Sequence, residues 1–177
     1  MKTKIPYATG LGYAYGLIRI IAPHCERVEI AGSLRRKRAE VGDVEIVCVP
    51  KSVGDMFGNN YRFAIQVRHA IEKAGFKIES GGDHYIKAER NGVQHDIFLT
   101  SPEQWGVIFT IRTGDAEFSR RLVTPKNKGG WLPSCFNVKD GRVWAGNEVQ
   151  ETPEEKDFFK LAGLPWLEPE KRNVKDG

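Results

Sequence analysis

Two acidic residues that alternate along a predicted strand are the first feature of this sequence that could do chemistry. Asp43 and Glu45 lie in the stretch 43–49, whose apolar residues predict a strand. Because side chains alternate with a period of two, both carboxylates share one face and Val44 lies on the other. Two neighbouring carboxylates are costly unless a cation neutralises them, and their oxygen atoms suit Mg²⁺.

A glycine turn and a run of basic residues precede this strand. Gly32 ends an earlier predicted strand that includes 28–30, and it permits a close approach of the backbone to a ligand. Ser33 offers a hydroxyl group and a backbone N–H, and Arg35 and Arg36 follow at once. These groups suit an anion such as a triphosphate, whose phosphates also bind Mg²⁺.

The two segments together resemble the signature of the polymerase-beta-like nucleotidyltransferase superfamily. Gly32-Ser33, nine intervening residues and then Asp43-Val44-Glu45-Ile46 match that pattern. The runs Gly-Ser-Leu-Arg-Arg and Gly-Asp-Val-Glu are similar to its family X DNA polymerase branch. Either run alone is also typical of a basic loop or a solvated surface strand, but both at this spacing favour the nucleotidyltransferase interpretation.

A third acid lies in a predicted hairpin. The strand 93–99 contains Asp96 and follows the tight-turn signal Asn91-Gly92. A single strand aspartate is usually a surface residue, but in the family that the sequence resembles a strand of this Asp-Ile-Phe-Leu character carries the third metal-binding carboxylate. The resemblance therefore implies that Asp43, Glu45 and Asp96 are the catalytic and metal-binding residues, with two Mg²⁺ ions that Mn²⁺ can replace.

The resemblance also implies a set of nucleotide-binding residues. Lys4 precedes Ile5-Pro6 and stands where the family has the arginine of an Arg-Ile-Pro-like triplet, although a solvated lysine is the alternative. Lys4, Gly32, Ser33 and Arg36 would hold phosphates. Thr113, Gly114 and Asp115 would lie against the sugar and base. The set is Lys4, Gly32, Ser33, Arg36, Arg112, Thr113, Gly114 and Asp115.

Two positions depart from the family's pattern. Glu45 replaces the aspartate that is commonest in the polymerase branch. Ile111-Arg112 stands where relatives have an aromatic pair before Thr-Gly, and that aromatic helps to exclude a ribose 2′-hydroxyl. The choice of sugar therefore stays open, and Arg112 either contacts the nucleotide or faces solvent.

Helices and turns flank these strands. Helical spacing of apolar residues, capping boxes and tight-turn dipeptides identify them. The predicted elements are a helix over 8–22, a loop over 51–60, a helix that ends near Ala74, helices that begin at the capping boxes 101–104 and 152–155, a helix over 115–123 and a hairpin over 136–144.

These elements predict an α+β fold. The resemblance implies a nucleotidyltransferase palm over 1–112, with a mixed or antiparallel sheet and helices packed on one face, and a small α/β thumb over 113–177. The run 164–172 is similar to the C-terminal tail of family X thumbs. Because little precedes Lys4, we expect the lyase domain and DNA-binding fingers of larger relatives to be absent, as in small viral members.

Composition limits the remaining function classes. The chain has 27 basic and 23 acidic residues, and its net charge of +4 is compatible with nucleic acid. No run approaches the roughly 20 apolar residues of a membrane span. No apolar signal core follows the N-terminus, so we expect an intracellular monomer, cytoplasmic or encoded by a virus or phage. The three cysteines have no metal-ligand spacing.

The leading hypothesis is a DNA-directed DNA polymerase of the family X type. It would add nucleotides to a primer 3′-hydroxyl by two-metal transfer, filling gaps in DNA repair, with nucleoside triphosphates and primer-template or gapped DNA as partners. A template-independent nucleotidyltransferase acting on an RNA end, a protein or a small molecule is the alternative, because Ile111-Arg112 is not aromatic. A catalytically silent nucleic-acid-binding module is a third hypothesis, which the three acids disfavour.

Overall fold

The computed structural model describes residues 4–54, 60–62 and 64–174. The chain divides into two compact units, Met1–Ser101 and Pro102–Gly177. The palm and thumb boundary expected at 112/113 therefore falls inside a helix of the second unit. Within the described ranges, no helix has the length and apolar character needed to cross a membrane.

The first unit is an α+β fold on a mixed sheet, as predicted. Its strands are β1 (Ile5–Pro6), β2 (Cys25–Ile30), β3 (Glu40–Val41), β4 (Val44–Pro50), β5 (Ser52–Gly54), β6 (Asn60–Arg62), β7 (Lys77–Gly81), β8 (Tyr85–Arg90) and β9 (Val93–Leu99). Its α-helices are α1 (Tyr7–Ile21), α2 (Gly32–Arg35) and α3 (Ala64–Lys73), and Ala22–His24 is a 3₁₀ turn.

Five of these strands form the central sheet, in the order β2-β4-β9-β8-β7. Strands β4 and β9 are parallel, and every other neighbouring pair in this sheet is antiparallel. Two short antiparallel pairs, β1 with β3 and β5 with β6, complete the described strands of this unit. The strand that carries Asp96 is therefore the central one.

One face of the central sheet packs against α1 and α3. The buried cluster between them includes Leu17, Val44, Ile46, Cys48, Val67, Ile71, Ile86, Ile97 and Leu99. Full burial of an aliphatic side chain of this size contributes about 1.5–3 kcal/mol. Because side chains alternate along a strand, the residues between these apolar positions lie on the opposite face.

The predicted Asn91-Gly92 turn connects β8 to β9. Both residues have positive φ angles, +55° and +76°, which a tight hairpin turn requires and which glycine adopts without strain. Arg90 pairs with Val93 across the turn. The turn therefore fixes the register of β9, and with it the position of Asp96.

The loop predicted over 51–60 is wrong at residues 52–54 and at residue 60, because residues 52–54 form β5 and pair with β6, which begins at Asn60. Residues 55–59 of that prediction lie outside the described residues. The helix expected to end near Ala74 ends at Lys73.

The second unit combines a small antiparallel sheet with three α-helices. Its elements are α4 (Trp105–Thr113), α5 (Ala116–Val123), β10 (Phe136–Lys139), β11 (Arg142–Ala145), β12 (Glu148–Gln150) and α6 (Glu155–Ala162), with 3₁₀ turns at Pro102–Gln104, Lys126–Lys128 and Pro169–Lys171. The sheet order is β10-β11-β12, and the predicted hairpin around Asp140-Gly141 is confirmed.

The two predicted capping boxes differ in outcome: at 101–104 a 3₁₀ turn begins at Pro102 and continues into α4, whereas α6 begins later than its box predicts. Helix α4 begins after Gln104, whose side chain makes no capping hydrogen bond. Helix α6 is capped by Glu154 and Asp157. The physical reason for the later start of α6 is that the Gly106 N–H donates to the Thr152 carbonyl oxygen at 3.1 Å. A Cβ on Gly106 would lie 2.2 Å from that oxygen, so this packing depends on the glycine.

A buried ion pair stabilises the second unit. Arg172 is 0% exposed, and its guanidinium donates to Glu155 Oε1 at 2.5 Å and to the Leu167 carbonyl oxygen at 3.0 Å. The guanidinium carbon also lies 4.9 Å from the ring centroid of Phe159 and 4.7 Å from that of Trp166. Arg172 is therefore one of the contacts that anchor the tail after α6.

We expect Arg172→Met to lower the free energy of unfolding by about 3–5 kcal/mol, because it leaves the Glu155 carboxylate buried without its partner. Urea denaturation measures the change. Lys171→Met is the matched control, since Lys171 is exposed and its loss should change the free energy by less than about 0.5 kcal/mol. Equal effects of the two substitutions would contradict the role of the buried pair.

Candidate active site

Glu45 and Asp96 are direct neighbours on the two parallel strands of the central sheet. The register of β4 against β9 pairs Glu45 with Asp96 and Ile46 with Ile97. Paired residues on adjacent strands point to the same face, and the two isoleucines are in the core under the helices. The two acids therefore share the face opposite the helices, and Asp43 lies in a bend immediately before β4.

The Gly32-Ser33 turn packs directly on the strand that carries the acids. The Ala31 N–H donates to the Glu45 carbonyl oxygen at 2.9 Å, and Gly32 follows with a φ angle of +58°. A Cβ built on Gly32 would lie only 1.6 Å from Glu45 Oε2. The Glu45 carboxylate therefore occupies the space that a side chain at residue 32 would need, so the turn requires glycine for both backbone and packing reasons.

Ser33 provides an unused hydroxyl beside this contact. Its Oγ is buried and has no hydrogen-bond partner among the residues that the structure describes. Backbone bonds from Arg36 N–H to the Gly32 oxygen and from Arg38 N–H to the Ser33 oxygen, each 3.1 Å, fold the following basic segment back on the turn. A buried hydroxyl without a partner, next to arginines, fits a ligand that is rich in acceptor oxygens, such as a phosphate.

The Asp96 carboxylate is held by two neighbours on the sheet. The Gln94 side-chain amide donates to Oδ1 at 2.9 Å and to Oδ2 at 2.7 Å, and the Tyr85 hydroxyl donates to Oδ1 at 2.7 Å. Asp96 is only 8% exposed. Its orientation is therefore fixed by protein donors, and this part of the site was not predicted from the sequence.

The histidine next to Asp96 belongs to the core. His95 is fully buried, with its ring 4.9 Å from that of Phe76 and 5.9 Å from that of Tyr13, centroid to centroid. Its Nδ1 lies 2.9 Å from the Val93 carbonyl oxygen, and burial lowers its pKa. His95 therefore faces away from the acids, as strand alternation requires.

Glu45 and Asp96 share a face, but the described acids do not form a closed ligand set. Across residues 4–54, 60–62 and 64–174, no three His, Cys, Asp or Glu side chains converge into a group that could hold a metal ion. The Glu45 carboxylate lies against Gly32, and that of Asp96 accepts from Gln94 and Tyr85. The donor chemistry suits Mg²⁺, but these carboxylates must rotate to bind one ion together.

Lys4 lies at the edge of the first unit. Its Nζ is 4.0 Å from Glu40 Oε2, and both side chains are exposed. Such a solvated pair contributes little to stability. Lys4 therefore remains available to a ligand at small cost.

Two predicted nucleotide-binding side chains serve the packing of the second unit. Thr113 is buried, and its hydroxyl donates to the Phe109 carbonyl oxygen at 2.7 Å. Asp115 caps α5 by accepting from Phe118 N–H at 2.7 Å, and its other oxygen accepts from Val174 N–H at 3.1 Å. Both side chains therefore have structural partners.

The other two predicted residues of this unit differ in exposure. Gly114 is closely covered, since a Cβ there would lie 2.4 Å from Phe118 Cδ1. Arg112 is exposed and borders a concave surface of about 270 Å³. The residues that line it are Ile111, Arg112, Ala116, Ser119, Arg120 and Val123.

Glu117 on α5 accepts hydrogen bonds from two arginines near this concave surface. Arg120 donates to it at 2.7 and 2.9 Å, and Arg121 donates at 2.6 Å. The hydrogen bonds from Arg120, and next those from Arg121, lower the pKa of Glu117 to about 2. The spacing of three and four residues along a helix was the available sequence signal for these contacts.

Comparison with known proteins gives a distant similarity. No protein-family model matches the chain. The chain is similar to a DNA polymerase, and the relative is DNA polymerase lambda of Rattus norvegicus. The two are 27% identical over 169 residues, which cover 80% of this chain and 28% of the relative. The chain thus spans little more than a quarter of that polymerase, and the similarity supports a distant relationship to family X-like polymerases.

Gly32→Ala and Gly12→Ala should change stability in opposite directions. At Gly32 the new methyl group meets the Glu45 carboxylate and the positive φ is strained, so we expect a loss of more than about 1 kcal/mol. Gly12 lies within α1 with open space around it, so alanine should add about 0.4–1 kcal/mol. Urea denaturation measures both, and a neutral Gly32→Ala variant would show that the close contact is absent.

The Glu117 carboxyl should titrate near pH 2 in a ¹³C NMR experiment. Because the folded-state pKa lies below its ordinary value of 4.5, the pairing stabilises the fold above that value and is lost as the pH falls towards 2. Arg120→Gln should raise the titration midpoint, since Arg120 makes the largest contribution. A midpoint near 4.5 in the unmodified protein would contradict the pairing.

Proposed function

We propose that this chain is a nucleotidyltransferase of the family X DNA polymerase type, which adds nucleotides to a primer 3′-hydroxyl. The observation that carries the proposal is the pairing of Glu45 with Asp96 on a sheet face next to the Gly32-Ser33 turn. The distant similarity to a DNA polymerase supports the same class. The two compact units would serve as palm and thumb.

Asp43, Glu45 and Asp96 would hold two divalent ions, Mg²⁺ or Mn²⁺. Carboxylate oxygens on one sheet face are the donor type that these ions prefer. A bound pair of such ions stabilises charge on the attacking and leaving oxygens of a phosphoryl transfer. The longer side chain of Glu45 would allow its carboxylate to reach from the surface of Gly32 towards Asp96.

The transfer itself exchanges one phosphorus–oxygen bond for another. The primer 3′-oxygen would form a bond to the α-phosphorus while the bond from that phosphorus to the pyrophosphate oxygen breaks. Asp96 would orient the 3′-hydroxyl and accept its proton, directly or through water. Fixed donors on this carboxylate, from Gln94 and Tyr85, would keep it in place.

The phosphates of the nucleotide would lie at the glycine turn. Ser33 Oγ, which is buried without a partner among the described residues, would donate to a phosphate oxygen together with the Gly32-Ser33 backbone. Arg36 and Lys4 would add positive charge. Arg112, Thr113, Gly114 and Asp115 stay nucleotide-binding residues by the family resemblance alone; Arg112 is exposed, and the Thr113 and Asp115 side chains have structural partners.

The substrate would be gapped DNA or a primer–template, with nucleoside triphosphates as the second substrate. A net charge of +4 favours association with a phosphate backbone, and this contribution weakens as salt rises. The proposed role is gap filling in DNA repair.

Primer extension on gapped duplex with Mg²⁺ or Mn²⁺ tests the site. Asp43→Asn, Glu45→Gln and Asp96→Asn should each reduce the rate about 10³-fold or more, equivalent to about 4 kcal/mol of transition-state stabilisation. Asp83→Asn is the matched control, because Asp83 lies exposed in the turn before β8 and should retain the rate. Full activity of the Asp96→Asn variant would exclude this assignment.

The same assay separates the two candidate activities. A template-directed polymerase inserts the nucleotide that matches each of the four template bases. Incorporation that ignores the template would instead support a template-independent transferase, which the non-aromatic Ile111-Arg112 pair favours. Parallel reactions with ribonucleotides and deoxyribonucleotides measure the sugar preference that this pair leaves open.

A further inference from the structure

The hydrogen bonds around Asp96 leave little of its carboxylate free. Gln94 and Asp96 stand two residues apart on β9 and share a face. The Gln94 amide contacts both carboxylate oxygens, at 2.9 and 2.7 Å, and the Tyr85 hydroxyl contacts Oδ1 at 2.7 Å. An ionised carboxylate offers about four lone-pair sites, and these donors use three of them.

The Tyr85 hydroxyl and the Gln94 amide differ in how easily each can break its hydrogen bond to Asp96. The Tyr85 ring stacks on Phe98, with centroids 5.2 Å apart and an interplanar angle of 26°, so its hydroxyl is fixed over Oδ1. The Gln94 amide is a terminal group whose last torsion is soft. Its rotation removes a donor from the buried Asp96 carboxylate, and an incoming cation would replace that donor. Oδ2, which the structure shows bonded to Gln94, is therefore the oxygen that rotation would release.

A cation and this amide compete for the same atom. Mg²⁺ binds oxygen at about 2.0–2.1 Å and needs a lone pair directed at it. The Gln94 Nε2 atom shares a hydrogen bond between the two Asp96 oxygens, at 2.9 Å from Oδ1 and 2.7 Å from Oδ2. A half-turn of the amide would instead present its carbonyl oxygen, which is a suitable ligand for the same ions.

We propose that Gln94 is a positioning residue that competes with a divalent cation for Asp96 and so sets the affinity of that ion. The inference rests on the proposed function, because it concerns the ion held at Asp96. Binding of the cation requires the Gln94 amide to give up its bond to Oδ2, while the Tyr85 bond to Oδ1 remains.

Mn²⁺ binding to the full chain, followed by electron paramagnetic resonance without nucleotide or DNA, tests the inference. Gln94→Leu should lower the Mn²⁺ dissociation constant about fivefold, the equivalent of one net hydrogen bond. Tyr85→Phe should change it less than about twofold, because its oxygen is not the one released. Gln150→Leu is the matched control, since that glutamine donates to the Glu148 carbonyl oxygen on β12 and should have no effect.

The outcomes distinguish the inference from the proposed function. If Asp96→Asn weakens Mn²⁺ binding but neither Gln94→Leu nor Gln94→Ala strengthens it, the competition does not exist and the proposed function stands. If Asp96→Asn leaves Mn²⁺ binding unchanged, no ion is held at Asp96 and both proposals fail. Thermal unfolding of each variant shows that the comparison is made between folded proteins.

Discussion

The parallel pairing of β4 with β9 is the constraint on which the rest of the first unit depends. Each strand places one acid between residues that are buried under the helices, and the register pairs Ile46 with Ile97 and Glu45 with Asp96. A shift of one residue would place the acids under the helices and the isoleucines outside, at a cost of several kcal/mol. Burial of the apolar face therefore determines where the acids lie, before any ligand contributes.

A second constraint joins the glycine turn to this pair of strands. Gly32 has no side chain, and the Glu45 carboxylate occupies the vacant space. A bulkier residue at position 32 would displace that carboxylate. The proposed phosphate-binding turn and the proposed metal-binding strand are thus one packed unit, in which the choice of residue at one position limits the choice at the other.

Local patterns predicted the features that depend on neighbouring residues, and missed those that depend on distant ones. Alternation and the Asn91-Gly92 turn predicted the hairpin correctly, because both act within a few residues. The predicted start of α6 was wrong, since the Thr152 carbonyl oxygen accepts a hydrogen bond from the N–H of Gly106. Likewise, the partner of Asp115 at Val174 is 59 positions away, beyond any local signal. The catalytic roles of the acids stay predictions.

The hydrogen-bond donors around Asp96 have a consequence for how the chain folds. A cluster of acids usually raises the free energy of a fold until a counter-ion arrives, so that folding waits for metal. Here the buried aspartate already accepts hydrogen bonds from two protein donors, Gln94 and Tyr85. The sheet can therefore assemble in a chelating medium, and ion supply would govern when the chain works, without governing whether it folds.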